Sequence, residues 1–198
     1  MKKIRIFGFI VILMMYSISC EELPDPAGER GVAVVPGISG LNPGVFDVND
    51  LANKIIEDLN DELGRFKLEL NIQQEMPLIK FDFGLVEQIL HNLVLNATQY
   101  SNPGTTIRIK IYYDQPNFIM QVMDRGPGFP PGELQNVFNK FYRLAGNYSG
   151  GTGLGLSIVK GFVDAHNGIV VIENRQNGGA RITVKIPTEI HEINKLMS

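Results

Sequence analysis

Gly150-Gly151-Thr152-Gly153-Leu154-Gly155-Leu156-Ser157-Ile158-Val159-Lys160 crowds four glycines into a short stretch and continues at once as an apolar-periodic helix. Glycine has no Cβ, so backbone N–H groups in such a loop can approach a phosphate closely, and a helix N-terminus adds partial positive charge. The spacing excludes two other phosphate loops. Glycines at 151, 153 and 155 leave Leu156 where a dinucleotide fingerprint needs its third glycine, and no Lys-Ser or Lys-Thr follows as a P-loop requires. Taken alone, the stretch reads equally as a tight turn opening a buried helix. Its meaning depends on partners upstream.

The chain has 198 residues, 44% of them hydrophobic, enough for one domain with a proper core plus appendages. A net charge of -3 gives no electrostatic footprint for nucleic acid. One cysteine, Cys20, allows neither a disulfide framework nor a zinc cluster within the chain.

Residues 1–20 stand apart. Met1-Lys2-Lys3-Ile4-Arg5 is basic, and Ile6 to Ser19 is uncharged and mostly apolar, the layout of a secretory signal. The apolar run is short for a spanning helix, which needs roughly 20 residues. Cys20 after small residues resembles a bacterial lipoprotein processing site, with Ser17 where that motif usually has leucine. Three readings stand: an export or lipoprotein signal, a membrane anchor through residues 4–20, or a segment that never reaches a membrane. Residues 21–45 hold Pro24, Pro26, Pro36 and Pro43 among several glycines and read as linker.

The domain proper is expected over 46–188, followed by a short tail, 189–198. Val48, Leu51, Ile55, Ile56 and Leu59 recur at helical spacing, predicting an amphipathic helix over 48–63, and Phe66 to Ile72 alternates as a half-buried strand. Asp82 offers an N-cap for a long helix to about Tyr100, with Leu85, Ile89, Leu90, Leu93, Val94 and Ala97 as its apolar stripe. Asn92 and Asn96 sit one turn apart on another face, with Gln99 and Tyr100 a turn further. Asparagine is a mediocre helix former, so the pair asks for a reason, although solvated surface asparagines are the alternative. Thr106–Tyr112 and Phe118–Met123 form a hairpin that runs into Asp124-Arg125-Gly126-Pro127-Gly128. A short helix from Gly132, the segment Val137–Arg143, the glycine loop with its helix, and strands 169–173 and 180–186 complete the domain.

From about Asp47 to Pro187 the chain resembles the catalytic, ATP-binding domain of bacterial sensor histidine kinases, in the superfamily shared with gyrase, Hsp90 and the mismatch-repair ATPases. The resemblance rests on Asn92-Leu93-Val94-Leu95-Asn96-Ala97, Asp124-Arg125-Gly126-Pro127-Gly128, Val137-Phe138-Asn139-Lys140-Phe141-Tyr142-Arg143 and Gly151-Thr152-Gly153-Leu154-Gly155-Leu156, in family order. The His-Asn-Gly and Gly-Gly-Ala stretches look nearest to potassium-responsive sensor kinases. The resemblance implies a two-layer α/β sandwich of the Bergerat type, with a mixed sheet of about five strands covered by three helices. It implies that Asp124 accepts a hydrogen bond from the adenine amino group, with Gly126 and Gly128 leaving room for the base. Asn96 would hold Mg²⁺ through its amide oxygen with Asn92 beside it, the two implied catalytic residues. Tyr100 would pack on the adenine. The loop from Gly151 and Thr152 through Gly153, Leu154, Gly155 and Leu156 would cradle the phosphates of ATP, with Arg143 or Arg125 adding charge and residues 143–150 forming a lid.

Three departures qualify the implied function, donation of the γ-phosphoryl to a histidine in two-component signalling. Gln99 stands where family members usually carry lysine. Asn92 occupies the position of the hydrolysing relatives' glutamate base, as it does in histidine kinases. None of His91, His166 and His191 lies in a phosphoacceptor box, so the acceptor must come from a separate dimerisation domain, with a response regulator downstream. His91 and His166 read as structural. An ATP-binding module without transfer, and an anti-sigma-type serine kinase, stay open. Lys2, Lys3 and Arg5 before the apolar run, with Glu21, Glu22 and Asp25 after it, point the domain outward by the positive-inside rule. ATP and response regulators are inside, so a functional product is expected to keep its domain in the cytoplasm, at the inner face of the membrane or free of it.

Overall fold

The computed structural model describes residues 40–143 and 152–191. The signal-like segment 1–20, the linker as far as residue 39, the lid residues 144–150, Gly151 and the tail from 192 lie outside the described residues.

The described chain opens with β1 (Gly44–Phe46). Asp47 then caps α1 (Val48–Asp58), its side chain accepting from the Asn49 N–H at 2.8 Å. Val48, Leu51 and Ile55 of the predicted stripe are buried, Ile56 is half-buried, and Ala52 joins them. The expected single helix over 48–63 breaks at Leu59 and resumes as α2 (Asn60–Leu63). Asn60 and Asp61 follow the break, and such short polar side chains compete with helical backbone bonding. Leu59 and Leu63 are both buried, so the break leaves the apolar stripe on the core.

After β2 (Lys67–Ile72) comes β3 (Leu78–Phe81), then α3 (Phe83–Tyr100), capped by Asp82, which accepts from Leu85 N–H at 3.1 Å. β4 (Thr106–Asp114) and β5 (Asn117–Met123) form the hairpin. Two short 3₁₀ turns, Pro131–Glu133 and Asn136–Phe138, replace the helix expected from Gly132. α4 (Gly155–Ala165), β6 (Ile169–Asn174), β7 (Ala180–Pro187) and β8 (Ile190–His191) complete the domain.

Five strands make one mixed sheet in the order β2-β4-β5-β7-β6, with β2 parallel to β4 and the other neighbours antiparallel. Register fixes the faces. Ile109, Val122, Ile182 and Ile172 lie opposite one another on the face covered by the helices, and Leu70 continues the row on the edge strand, where it is exposed. One residue along, Glu69, Arg108, Met123, Arg181 and Glu173 form the matching row on the open face. The core joins Ile107, Ile109 and Ile111 of β4 to Val86, Ile89, Leu90 and Leu93 of α3 and to Val159 and Val163 of α4. This is the two-layer α/β sandwich that the sequence implies.

A second sheet, β1-β3-β8, goes beyond the sequence expectation. β1 and β8 both pair antiparallel to β3, so among the described residues strand pairing runs from Gly44 to His191. Phe46, Phe81 and Phe83 cluster there, and Phe81 stacks on Phe118 of β5 with centroids 5.4 Å apart. Among the described residues no helix is long and apolar enough to cross a membrane.

Candidate functional site

α3 buries one side against the sheet and turns Asn92, Asn96 and Gln99 to the other, where α4 begins. Asn92 donates from its amide to the Gln88 carbonyl at 2.8 Å, a turn back on the same helix. Its oxygen lies beside Gly155, where a Cβ would come within 3.2 Å of it. No Asn96 side-chain hydrogen bond occurs among the described residues, and that side chain lines an open cleft between α3, the start of α4 and residues 128–143.

Asp124 follows directly on β5 and is only 6% exposed. One carboxylate oxygen, Oδ1, accepts from the N–H groups of Gly126 at 2.8 Å and Ala180 at 3.1 Å. Among the described residues Oδ2 has no such donor and is not fully buried, and Asp124 lines the cleft. Burial pushes the Asp124 carboxyl above the ordinary aspartate range, and the Gly126 and Ala180 N–H groups and the Arg175 charge pull against that shift. Arg175 also donates to the Asp124 main-chain carbonyl at 2.6 Å.

The opposite wall comes from residues 129–143. Tyr142 donates from its hydroxyl to Glu133 at 2.7 Å, and Asn136 donates to the same carboxylate oxygen at 2.9 Å. These bonds, Asn136 first, hold the Glu133 carboxyl below its usual range, while the Glu133 bond pushes the Tyr142 hydroxyl up to about 12. Gly153 packs on this wall. Its φ is +71°, and a Cβ there would sit 2.8 Å from the Tyr142 carbonyl oxygen, so only glycine fits without displacement.

The structure thus brings Asn92, Asn96, Tyr100, Asp124, Gly128, Arg143, Thr152, Gly153, Gly155 and Leu156 to one cleft. Gly126 and Leu154 do not line it. A Cβ on Gly126 would meet the Tyr100 carbonyl oxygen at 2.6 Å, so glycine there serves chain packing rather than space for a ligand. Arg125 turns away and donates to the Asn177 carbonyl at 3.2 Å. Leu95, Phe129, Val137, Tyr142 and Ala180 also line the cleft. Of these, Leu95 is signalled by its place one turn from Asn92 and Tyr142 by its adjacency to Arg143, whereas Ala180 arrives only through β7 pairing. His166 is buried: its Nδ1 donates to the Phe162 carbonyl at 2.8 Å, and its Nε2 accepts from Asp82 N–H at 3.4 Å. It fastens the end of α4 to the cap of α3, a structural role.

The family described as "Histidine kinase-, DNA gyrase B-, and HSP90-like ATPase" matches residues 82–190, more than half of the chain. The sensor protein KdpD of Clostridium acetobutylicum is 30% identical over 146 residues, 72% of this chain and 16% of the relative. KdpD of Escherichia coli is 38% identical over 125 residues, 62% of this chain and 14% of the relative. Among solved structures, the Acinetobacter baumannii histidine kinase AdeS superposes with a TM-score of 0.63 at 27% identity, covering 75% of this chain and 68% of that one. The catalytic domain of histidine kinase ThkA gives a TM-score of 0.66 at 26% identity, covering 74% of this chain and 97% of that one. The chain belongs to the histidine kinase-, gyrase B- and HSP90-like ATPase family, and its curated relatives include sensor histidine kinases. It spans about a sixth of the length of the two KdpD proteins.

Proposed function

We propose that this chain binds ATP with Mg²⁺ in the α3–α4 cleft and donates the γ-phosphoryl group to a histidine on a separate dimerisation domain, in a pathway that ends at a response regulator. The supporting observation is the carboxylate of Asp124. With Oδ1 held by two backbone N–H groups, Oδ2 is left in this cleft-lining residue as an acceptor suited to the amino group of adenine. Tyr100 lines the same cleft and would cover the base, and Thr152, Gly153 and Gly155 line it too and would take the phosphates.

The donor set fits Mg²⁺ brought in with the nucleotide. Asn96 supplies one neutral oxygen, and the described residues hold no group of three carboxylate, histidine or cysteine ligands that would bind a metal on its own. The ion, when bound, offsets phosphate charge. Asn96 orients the triphosphate, Asn92 packs at the start of α4, and Arg143 at the cleft edge adds positive charge near the phosphates. Phosphoryl transfer depends mostly on positioning and charge neutralisation, so such a domain suffices once an acceptor is presented.

One residue favours a second reading, ATP binding without transfer: Gln99 lines the cleft where the family usually has lysine. The cellular setting that suits either reading is the cytoplasm, including the inner face of the membrane.

Comparing ATP with ITP on the full chain tests the base contact. ITP presents an oxygen where adenine presents its amino group, so it should bind about 10- to 100-fold more weakly. Equal affinities would remove Asp124 from base recognition.

A further inference from the structure

Next to Asp124, whose main-chain carbonyl accepts from Arg175, the β6–β7 hairpin outlines a second, open pocket. Its walls are Glu173, Asn174, Arg175, Gln176, Asn177 and Arg181, all polar or charged, and none of them lines the first cleft. Such a lining offers nothing to an apolar side chain.

Two guanidinium groups, Arg175 and Arg181, line it, and the charges of Arg125 and Arg108 act on Arg175, in a chain whose net charge is -3. Arg181 stands in the same cross-strand row as Arg108, one strand beyond Met123, and Arg125 reaches the hairpin through Asn177. Burial first, then the charges of Arg125 and Arg108, hold the Arg175 guanidinium below its ordinary range; Asp124 opposes this and Arg181 adds to it. The acids are too few to balance them. Glu69 is taken by Arg108, and Glu173 reaches Arg181 only at 3.8 Å. Arg181 Nε is buried and lacks a hydrogen-bond partner, the sole side-chain atom of that kind among the described residues. The Arg181 side chain as a whole is 42% exposed, so an incoming group meets the rest of the guanidinium rather than Nε.

We infer that the open hairpin pocket between Arg175 and Arg181 binds a compact phosphate-type oxyanion, free or as a phosphate monoester. Guanidinium forks match the oxygens of such a group bidentately, and Arg175 and Arg181 both line the pocket. The amides of Gln176 and Asn177 add neutral polar groups at its walls. The anion displaces the loosely held Glu173 from Arg181.

The test follows the side-chain Nε–H resonances of Arg175 and Arg181 in the full chain during titration with inorganic phosphate. Potassium chloride at matched ionic strength serves as control. Among the described residues the Arg181 side chain pairs only with Glu173 and makes no bond to a residue of the nucleotide cleft, so a shift of its signal is not mimicked by phosphate entering that cleft, and this arm is independent of ATP binding. The expected result is a saturable shift of both signals with phosphate and none with chloride. Arg181→Gln should weaken the response of Arg175 about tenfold, and Glu173→Gln should tighten it by about as much. The gain in Glu173→Gln cannot arise from misfolding. A parallel arm replaces phosphate with vesicles of phosphatidate or of phosphatidylcholine. A response to phosphatidate vesicles that Arg181→Gln abolishes assigns the site to a lipid headgroup, and a response to phosphate alone assigns it to a soluble anion. Equal shifts with chloride, or a response unchanged in both variants, would overturn the site.

Discussion

Replacing Asp124 by asparagine changes one atom, and the structure fixes which one. Oδ1 accepts two backbone N–H bonds, from Gly126 and Ala180, so the side-chain oxygen of the introduced asparagine must keep that place and its amide nitrogen takes the position of Oδ2. A donor then takes the place of an acceptor. Against adenine this removes a charge-assisted hydrogen bond and sets donor against donor, a loss of about 1–3 kcal/mol, or roughly 5- to 150-fold in affinity. Against ITP the new amide can donate to the base oxygen, so the preference for ATP should shrink or invert. Stability without ligand should move the other way. The folded state raises the Asp124 pKa through burial, so it holds the proton more tightly than the unfolded chain. Stability from this group is therefore full below the ordinary aspartate pKa, about 4, and declines as pH rises through the raised value. Asparagine removes that decline, so Asp124→Asn should melt no lower than the parent at pH 7 and should lose the dependence on pH in that window. Calorimetric titration with both nucleotides, and thermal melts at pH 4 and pH 7, read the two effects separately. An unchanged ATP affinity, or equal losses for ATP and ITP together with a lower melting temperature, would refute the role given to Oδ2.

Gln99→Lys should tighten ATP several-fold while leaving adenosine unchanged, because an added cation on this wall of the cleft reaches phosphates and not the base; competition binding separates the two. Asn96→Ala should leave adenosine affinity intact and abolish the gain in ATP affinity that Mg²⁺ gives, measured by titration with and without the ion. Gly153→Ala should cost at least about 1 kcal/mol in urea unfolding, since φ is +71° and the Tyr142 carbonyl stands in the way.

The long elements were legible because their periods are long. α3 shows its cap and apolar stripe over eighteen residues, and the β4–β5 hairpin alternates on both arms. β1, β3 and β8 have three, four and two residues, too few for alternation to be read, and they exist because partners arrive from distant sequence: β8 pairs with β3 through Ile190 and Ile79. The site divides in the same way. Asn92, Asn96 and the glycine loop announce themselves by spacing. The hydrogen bonds that prepare Asp124 come in part from Ala180, fifty-six residues later, and no local pattern signals that one. Gly126 shows the converse: its place in a motif suggested room for a ligand, and the structure gives it to the Tyr100 carbonyl. The arginines of the β6–β7 hairpin carry no local signal, since only cross-strand register gathers Arg108 and Arg181 on one face.

Transfer of label from γ-labelled ATP is the most direct measurement of the central claim. The full chain is mixed with Mg²⁺ and a separately supplied histidine-bearing dimerisation domain. The account predicts label on that domain that is lost in acid and kept in base, the behaviour of phosphohistidine, with none when the acceptor histidine is replaced. ATP binding without any transfer, or acid-stable label on a serine, would contradict it.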